Sequence, residues 1–337
     1  MSMTVRTALK GGIAALAMSM MATTSQAADE LVISTATPPQ HAQTMTMVWF
    51  AEALAEATGG ELTAKIFDSS QLYNARDVGK AVARGDVGMA IVPSPYLSRI
   101  EANINVLDLP MLNGLSETTR NDMLDGPLGD KLNELLSDKM GVVVPGNWPL
   151  LGRVMYWSTA KPLTNHEEFK GMQVRIPGGA AAAARVEAMG GVPVVMPGSD
   201  MPLALQQGTV DATMASIESV VQQKLTDVGV THGFWDQGIV GYLIPIVSRS
   251  YWDSLDKDQQ ATFSEVWNAT VAKQREMAIE QDGEYRAKLT EWGVTISDAS
   301  DEASATARDA MMPIQAGLVD KLEISDEVMS LAEEAAK

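Results

Sequence analysis

Arg175 is the residue whose type and setting best suit binding chemistry. It lies in residues 172–176, where Met172, Val174 and Ile176 alternate with Gln173 and Arg175, and the run stops at Pro177-Gly178-Gly179. Period-two alternation bounded by Pro and Gly marks a strand. A guanidinium there presents a planar fork that matches a carboxylate through two parallel hydrogen bonds, which a lysine cannot do. The glycines leave bare backbone beside it and open a helix over 180–189. The plain alternative is an exposed strand-end arginine in a surface ion pair, worth about 0–1 kcal/mol. Residue type alone favours that alternative, since most arginines sit at the surface.

Little else in the chain offers chemistry of its own. The three histidines, His41, His166 and His232, are far apart and lack metal-ligand spacing, and there is no cysteine. Neither H-E-x-x-H nor G-x-S-x-G occurs, so no nucleophile–base pair and no metal cluster is legible. No catalysis, metal or cofactor is expected. An exported hydrolase on an α/β scaffold is therefore the weaker functional class.

Residues 1–27 read as a leader. Arg6 and Lys10 form a basic start, 11–22 is a short apolar run, and Ser25-Gln26-Ala27 places small residues at the recognition positions. Such a segment is too short to remain in a bilayer and marks export with cleavage after Ala27 or Ala28. The formal net charge is −18, and losing the cations Arg6 and Lys10 takes it to −20. That acidity argues against nucleic acid and anionic membranes as partners. It leaves an anionic ligand open, because a local arginine dominates inside a cleft. Without disulfides the exported chain is held by its core, and its length suffices for one or two domains.

The elements that must position Arg175 follow from periodicity. Residues 31–35, 62–66 and 87–92 read as strands separated by helices over 40–58 and 78–84, a β-α-β-α-β order that predicts a parallel sheet covered by helices. A helical stretch over 117–140 and a strand over 142–144 complete the first lobe. Beyond Trp148 a second lobe holds the strands of Arg153 and Arg175. The apolar run 239–247, broken by Gly241 and Pro245, reads as a buried strand returning to the first lobe. From Asp256 to about Trp292 the chain is polar, proline-free and predicts one helix far longer than average.

Taken together, these segments resemble the solute-binding proteins of TRAP (tripartite ATP-independent periplasmic) transporters. The resemblance rests on FKGMQVRIPGG at 169–179 with LALQQGTVDA at 203–212, SSQLYNARD at 69–77, VLDLP at 106–110, Gly152-Arg153 with Lys161-Pro162-Leu163, and SYWDSL at 250–255. It implies an α/β, two-lobed periplasmic binding protein fold with a long helix spanning both lobes. Lobe I would take 28–150 plus about 239–280, and lobe II 151–238 plus about 281–337. It implies a non-catalytic, monomeric periplasmic receptor that carries a small organic acid, a dicarboxylate or a sugar acid, to TRAP membrane subunits. A binding protein for an ABC importer or a sensor kinase would share the fold.

The resemblance also assigns residues. Arg175 would pair with the substrate carboxylate, and Arg153 would be the second arginine, with a salt bridge to a domain carboxylate as its alternative. Trp148, at the first crossover between lobes, would cap the ligand's carbon skeleton or pack a hinge. Asn74 matches a ligand-bonding position but is also a good helix N-cap. Ser94 matches a pocket position or caps the turn 95–98. Trp235, Asp236 and Gln237 stand beside the return strand, and Gln237 is taken as a pocket residue. Where many relatives read V-D-G-x-E-N, this chain has Met214 for the acid and Ala215 for the asparagine, and other polar pocket positions become Ala36, Pro93 and Gly198. Loss of that acid removes the basis for a sodium site. A pocket with fewer polar side chains suits a compact acid better than a nine-carbon sugar.

Overall fold

The computed structural model describes residues 30–337. The leader expected over 1–27 lies outside the described residues. Alternation builds the first layer: β1 (Leu31–Ser34), α1 (Ala42–Ala57), β2 (Ala64–Phe67), α2 (Val78–Arg84) and β3 (Met89–Pro93) follow one another, then the short α3 (Ser94–Leu97) and a 3-10 turn over Ala102–Asp108. β1 runs parallel to both neighbours, Leu31 opposite Ala64 and Ile33 opposite Met89. α1 turns Met47, Phe50 and Leu54 inward, the face its spacing predicts. α4 (Glu117–Leu124), α5 (Pro127–Met140) and β4 (Val142–Val143) finish this layer.

The second layer is built from β5 (Leu150–Ser158), β6 (Gln173–Ile176), α6 (Ala180–Ala188), β7 (Val192–Val195), α7 (Met201–Gln206), β8 (Ala212–Ser216) and α8 (Ile217–Gln222). Its strand order is β5-β8-β6-β7, with β6 parallel to both of its neighbours. One strand joins the layers. β9 (His232–Ser248) is 17 residues long. Its first part pairs antiparallel with β5, and Leu243 to Val247 pair with β3. It is almost wholly buried, as the continuous apolar run through its second half requires.

After α9 (Arg249–Ser254), a capping box at Asp256 and Gln259 starts α10 (Lys257–Glu291), 35 residues long. At 1.5 Å per residue it reaches about 52 Å, enough to lie along α1 in one layer and along β5 and α8 in the other. β10 (Thr295–Asp298) pairs with the start of β9. α11 (Asp301–Leu322) and α12 (Asp326–Ala335) end the chain.

Their placement departs from the expectation that 281–337 belongs with the second lobe. Leu318, Ile324, Val328 and Ala332 are buried in the core formed by α2, β3, α4 and α5, and α12 packs on α5. The physical reason is reach: α11, with its 22 residues, spans about 33 Å and carries the chain back to the first layer. Among the described residues no helix is long and apolar enough to cross a membrane.

Candidate ligand-binding cleft

A cleft of about 340 Å³ opens between the layers, with walls from both. Arg175 on β6 lines it and is buried, 4% exposed. The strand ends there because Gly178 and Gly179 let the backbone pass close to α3. A Cβ at Gly178 would lie 3.0 Å from the Pro95 carbonyl oxygen, and Gly179 has φ +83°.

The guanidinium is held by neutral groups. Its Nε and Nη2 donate to the Met196 carbonyl at 3.1 and 2.9 Å, and Nη1 donates to the Met214 carbonyl at 3.0 Å. Its remaining partners are weak: the Met201 thioether at 3.8 Å and the Tyr96 hydroxyl at 3.3 Å. Among the described residues no carboxylate pairs with it at ion-pair distance, and burial lowers its pKa from the usual value. A buried cation without a counter-charge is costly, and a ligand carboxylate would supply one.

Tyr96 comes from the other layer, on α3. Its hydroxyl oxygen accepts from Gly198 N at 3.2 Å as well as from Arg175. With both acceptor sites used, its own hydrogen is free to be donated toward an acid on Arg175. His41, at the start of α1, also lines the cleft. Its Nδ1 accepts from Gln43 N at 3.1 Å, and burial lowers its pKa to about 4, so the neutral ring carries its hydrogen on Nε2, toward Ser219 Oγ at 3.5 Å. Glu218 on α8 accepts from Ala42 N at 2.6 Å and stands 3.4 Å from His41 Nδ1. Burial raises its pKa to about 7.

Of the residues singled out from sequence, Arg175, Asn74 and Ser94 line the cleft. Asn74 also caps: its Oδ1 accepts from Arg76 N and Asp77 N at 2.9 and 3.1 Å. The substituted positions Ala36, Pro93, Gly198, Met214 and Ala215 all line the cleft too, which leaves its walls mainly apolar. Arg153, Trp148 and Gln237 are not among the lining residues. Arg153 Nε lies 2.8 Å from Glu117 and Nη1 3.3 Å from Asp282, with its guanidinium 4.1 Å from the Trp235 ring centre. Trp148 is wholly buried in the first layer's core and donates to Asn133 at 2.8 Å. Gln237, with φ +60°, turns away and donates to the Ala299 carbonyl at 2.8 Å and to Asp301 at 3.1 Å. Asp236 faces Arg185 at 2.7 Å and His166 at 3.1 Å; although burial opposes it, Arg185 first and then His166 hold its carboxyl well below the usual range. Tyr96, His41 and Asp108 were not legible as cleft residues. Their only sequence signal was position: His41 just ahead of the helix that follows β1, Tyr96 just after β3, and Asp108 in the middle of the VLDLP run.

A cleft between two layers joined by one long strand, and lined by a buried arginine that has no carboxylate partner among the described residues, describes a receptor. The family model for bacterial extracellular solute-binding protein, family 7, matches residues 33–321. The chain belongs to that family. It is a solute receptor of the TRAP type and not an enzyme. Among curated relatives, the C4-dicarboxylate-binding periplasmic protein of Rhodobacter capsulatus is 25% identical over 278 residues, 81% of each chain. The 2,3-diketo-L-gulonate-binding periplasmic protein of Escherichia coli is 28% identical over 265 residues, 77% of this chain and 78% of its own. Solved structures share the fold. A TRAP periplasmic solute binding protein from Desulfovibrio salexigens with bound orotic acid has a TM-score of 0.85 at 21% identity, covering 91% of this chain and 98% of its own. One from Sulfurospirillum deleyianum with bound succinate has a TM-score of 0.82 at 24% identity, with the same coverage.

Proposed function

We propose that this receptor binds a small organic acid outside the cytoplasm and delivers it to TRAP membrane subunits. It would be exported by a leader cleaved near Ala27 and act as a monomer. One observation carries the reading: the buried Arg175 guanidinium has neutral hydrogen-bond partners and, among the described residues, no carboxylate partner. An acid entering the cleft would displace the Met201 thioether and Tyr96 hydroxyl from two N–H groups and provide the missing charge. Tyr96 would donate to it, and Ser94, Asn74 and the neutral His41 ring would form the polar part of the opposite wall. Relatives whose names or bound ligands include a C4-dicarboxylate, a diketogulonate, orotic acid and succinate support the ligand class. Arg153 would act outside the pocket, tying the second lobe to Glu117 of the first, while Trp148 and Gln237 would act in packing away from the ligand.

Two walls meeting over the ligand would close further when it binds, since the ligand favours whichever state contacts it from both sides. A thermal-shift screen of the purified protein against organic acids tests the reading. A ligand at about a hundred times its dissociation constant adds roughly 2.7 kcal/mol of stability. The shift should vanish in Arg175→Ala. An acid that stabilises the wild type and Arg175→Ala equally would place the site elsewhere.

A further inference from the structure

A second ionisable group faces the same cleft. Asp108, the last residue of the 3-10 turn in the first layer, lines the cleft and is 9% exposed. Among the described residues no protein donor is bonded to its carboxylate, so both oxygens have acceptor capacity to spare. Two cations stand near enough to influence it, Arg185 and Arg120, and they lower its pKa, while burial dominates and raises it to about 6. Arg185 is committed to Asp236 at 2.7 Å, and Arg120 donates to the Gly238 carbonyl at 2.9 Å.

Asp236 is the carboxylate partner of Arg185, whereas Asp108 and Arg175 line the cleft itself, and among the described residues neither has an ion-pair partner. Two exposed groups also influence Arg175, and they oppose each other: Asp200 raises its pKa and Arg76 lowers it. A guest with one carboxylate gives Arg175 the counter-charge it lacks and leaves Asp108 free to accept a hydrogen bond. A guest with two would bury a negative charge without a partner, beside a carboxylate that is itself ionised, and both costs are large in a dry site.

Resting on the organic-acid reading above, we infer that the cleft selects a singly charged acid, whose carboxylate meets Arg175 and whose hydroxyl donates to Asp108. Asp108 thus acts as the specificity residue that turns dicarboxylates away. This narrows the choice between a dicarboxylate and a sugar acid in favour of a hydroxylated monocarboxylate.

Matched pairs of acids test this directly. Each pair differs in one terminal group, CH2OH against carboxylate: glycolate and oxalate, 4-hydroxybutyrate and succinate, galactonate and galactarate. Calorimetry with the purified protein is run at pH 8, where Asp108 is charged. In whichever pairs bind, the hydroxy acid should bind at least about tenfold more tightly than its dicarboxylate partner. Asp108→Asn should shrink that ratio to about threefold or less, chiefly by a gain for the dicarboxylate. Tighter binding of the dicarboxylates to the wild type, lost in Arg175→Ala, would overturn this inference while leaving the organic-acid reading intact. If no acid of either kind binds, both fall. The wild-type ratios decide the matter even where Asp108→Asn fails to fold.

Discussion

Two arginines on neighbouring stretches of the second layer lead opposite lives. Arg153 on β5 is oversupplied with carboxylates: Glu117 and Asp282 pair with it, and Glu218 lines the same small recess. Arg175 on β6 has carbonyls, a thioether and a phenol. Both stood as ligand-binding candidates in the sequence, and only the supply of acids around them tells them apart. A cation already neutralised has little to gain from an anionic guest. A buried cation left unneutralised has much to gain. The acid surplus beside one arginine and the deficit beside the other mark where a ligand's charge is needed.

The strongest way to break this contrast is to change the geometry at Arg175 while keeping its charge. Arg175→Lys should weaken the cognate acid well over tenfold, because an ammonium cannot reproduce the two parallel bonds of the fork. Arg175→Ala removes one side of a desolvated pair, a loss of about 2–5 kcal/mol that takes a micromolar ligand out of measurable range. Calorimetry on the acid found by thermal shift reads both. Near wild-type affinity in Arg175→Lys would mean that the unpaired guanidinium is a structural feature.

Much of the fold could be read from residue patterns. The β-α-β-α-β opening, the return through 239–247 and the single long helix all come from local periodicity, and the structure shows β1 to β3, β9 and α10 in those places. The strand of Arg175 was legible for the same reason. What local pattern cannot carry is partnership across space. Glu218 lies 176 residues from the Ala42 amide it caps, Tyr96 is 79 residues from Arg175, and Arg153 finds Asp282 129 residues away. Trp148 turns inward to Asn133 because an indole both buries a large area and satisfies its N–H there. Gln237 points away from the cleft because its left-handed backbone directs it to the start of α11. The C-terminal helices pack on the first layer because their apolar faces complete a core whose other walls are distant in sequence.

The burial of one acid on the Arg153 side, Glu218, should also appear as pH dependence. The Glu218 carboxyl titrates near 7 when folded against 4.5 ordinarily. Between those values the native state binds the extra proton. The stability it contributes is therefore complete below pH 4.5 and lost as pH rises through 7. His41 works with the opposite sign: lowered from 6.5 to about 4, it favours the fold above pH 6.5 and costs stability as pH falls through 4. The two slopes oppose each other from 4.5 to 6.5, and above 6.5 the Glu218 slope stands alone of the pair. Glu218→Gln keeps an oxygen for Ala42 N and removes the titration. Relative to wild type it should gain on the order of 2 kcal/mol between pH 5 and pH 8. Urea unfolding at those two pH values measures the gain, and an unchanged difference would show that Glu218 is not penalised by its burial.

The smallest effect belongs to Arg153, and it completes the contrast. Its side chain is 28% exposed, so solvent screens its ion pairs with Glu117 and Asp282. Asp282 also keeps Arg286 at 3.1 Å when Arg153 is removed, which limits the charge left behind. Arg153→Ala should therefore cost only about 1 kcal/mol of fold stability, part of it from the lost stacking on Trp235. That cost should shrink as salt is added, because the pairs reach solvent. Affinity for the cognate acid should stay within about twofold, since Arg153 shares no partner with Arg175 and lies outside the cleft. Calorimetry and denaturant unfolding on one preparation separate the two quantities. A tenfold loss of affinity with unchanged stability would reverse the assignment. It would mean that closing the lobes swings Arg153 from its carboxylates onto the ligand, and that its acid surplus belongs to the open state alone.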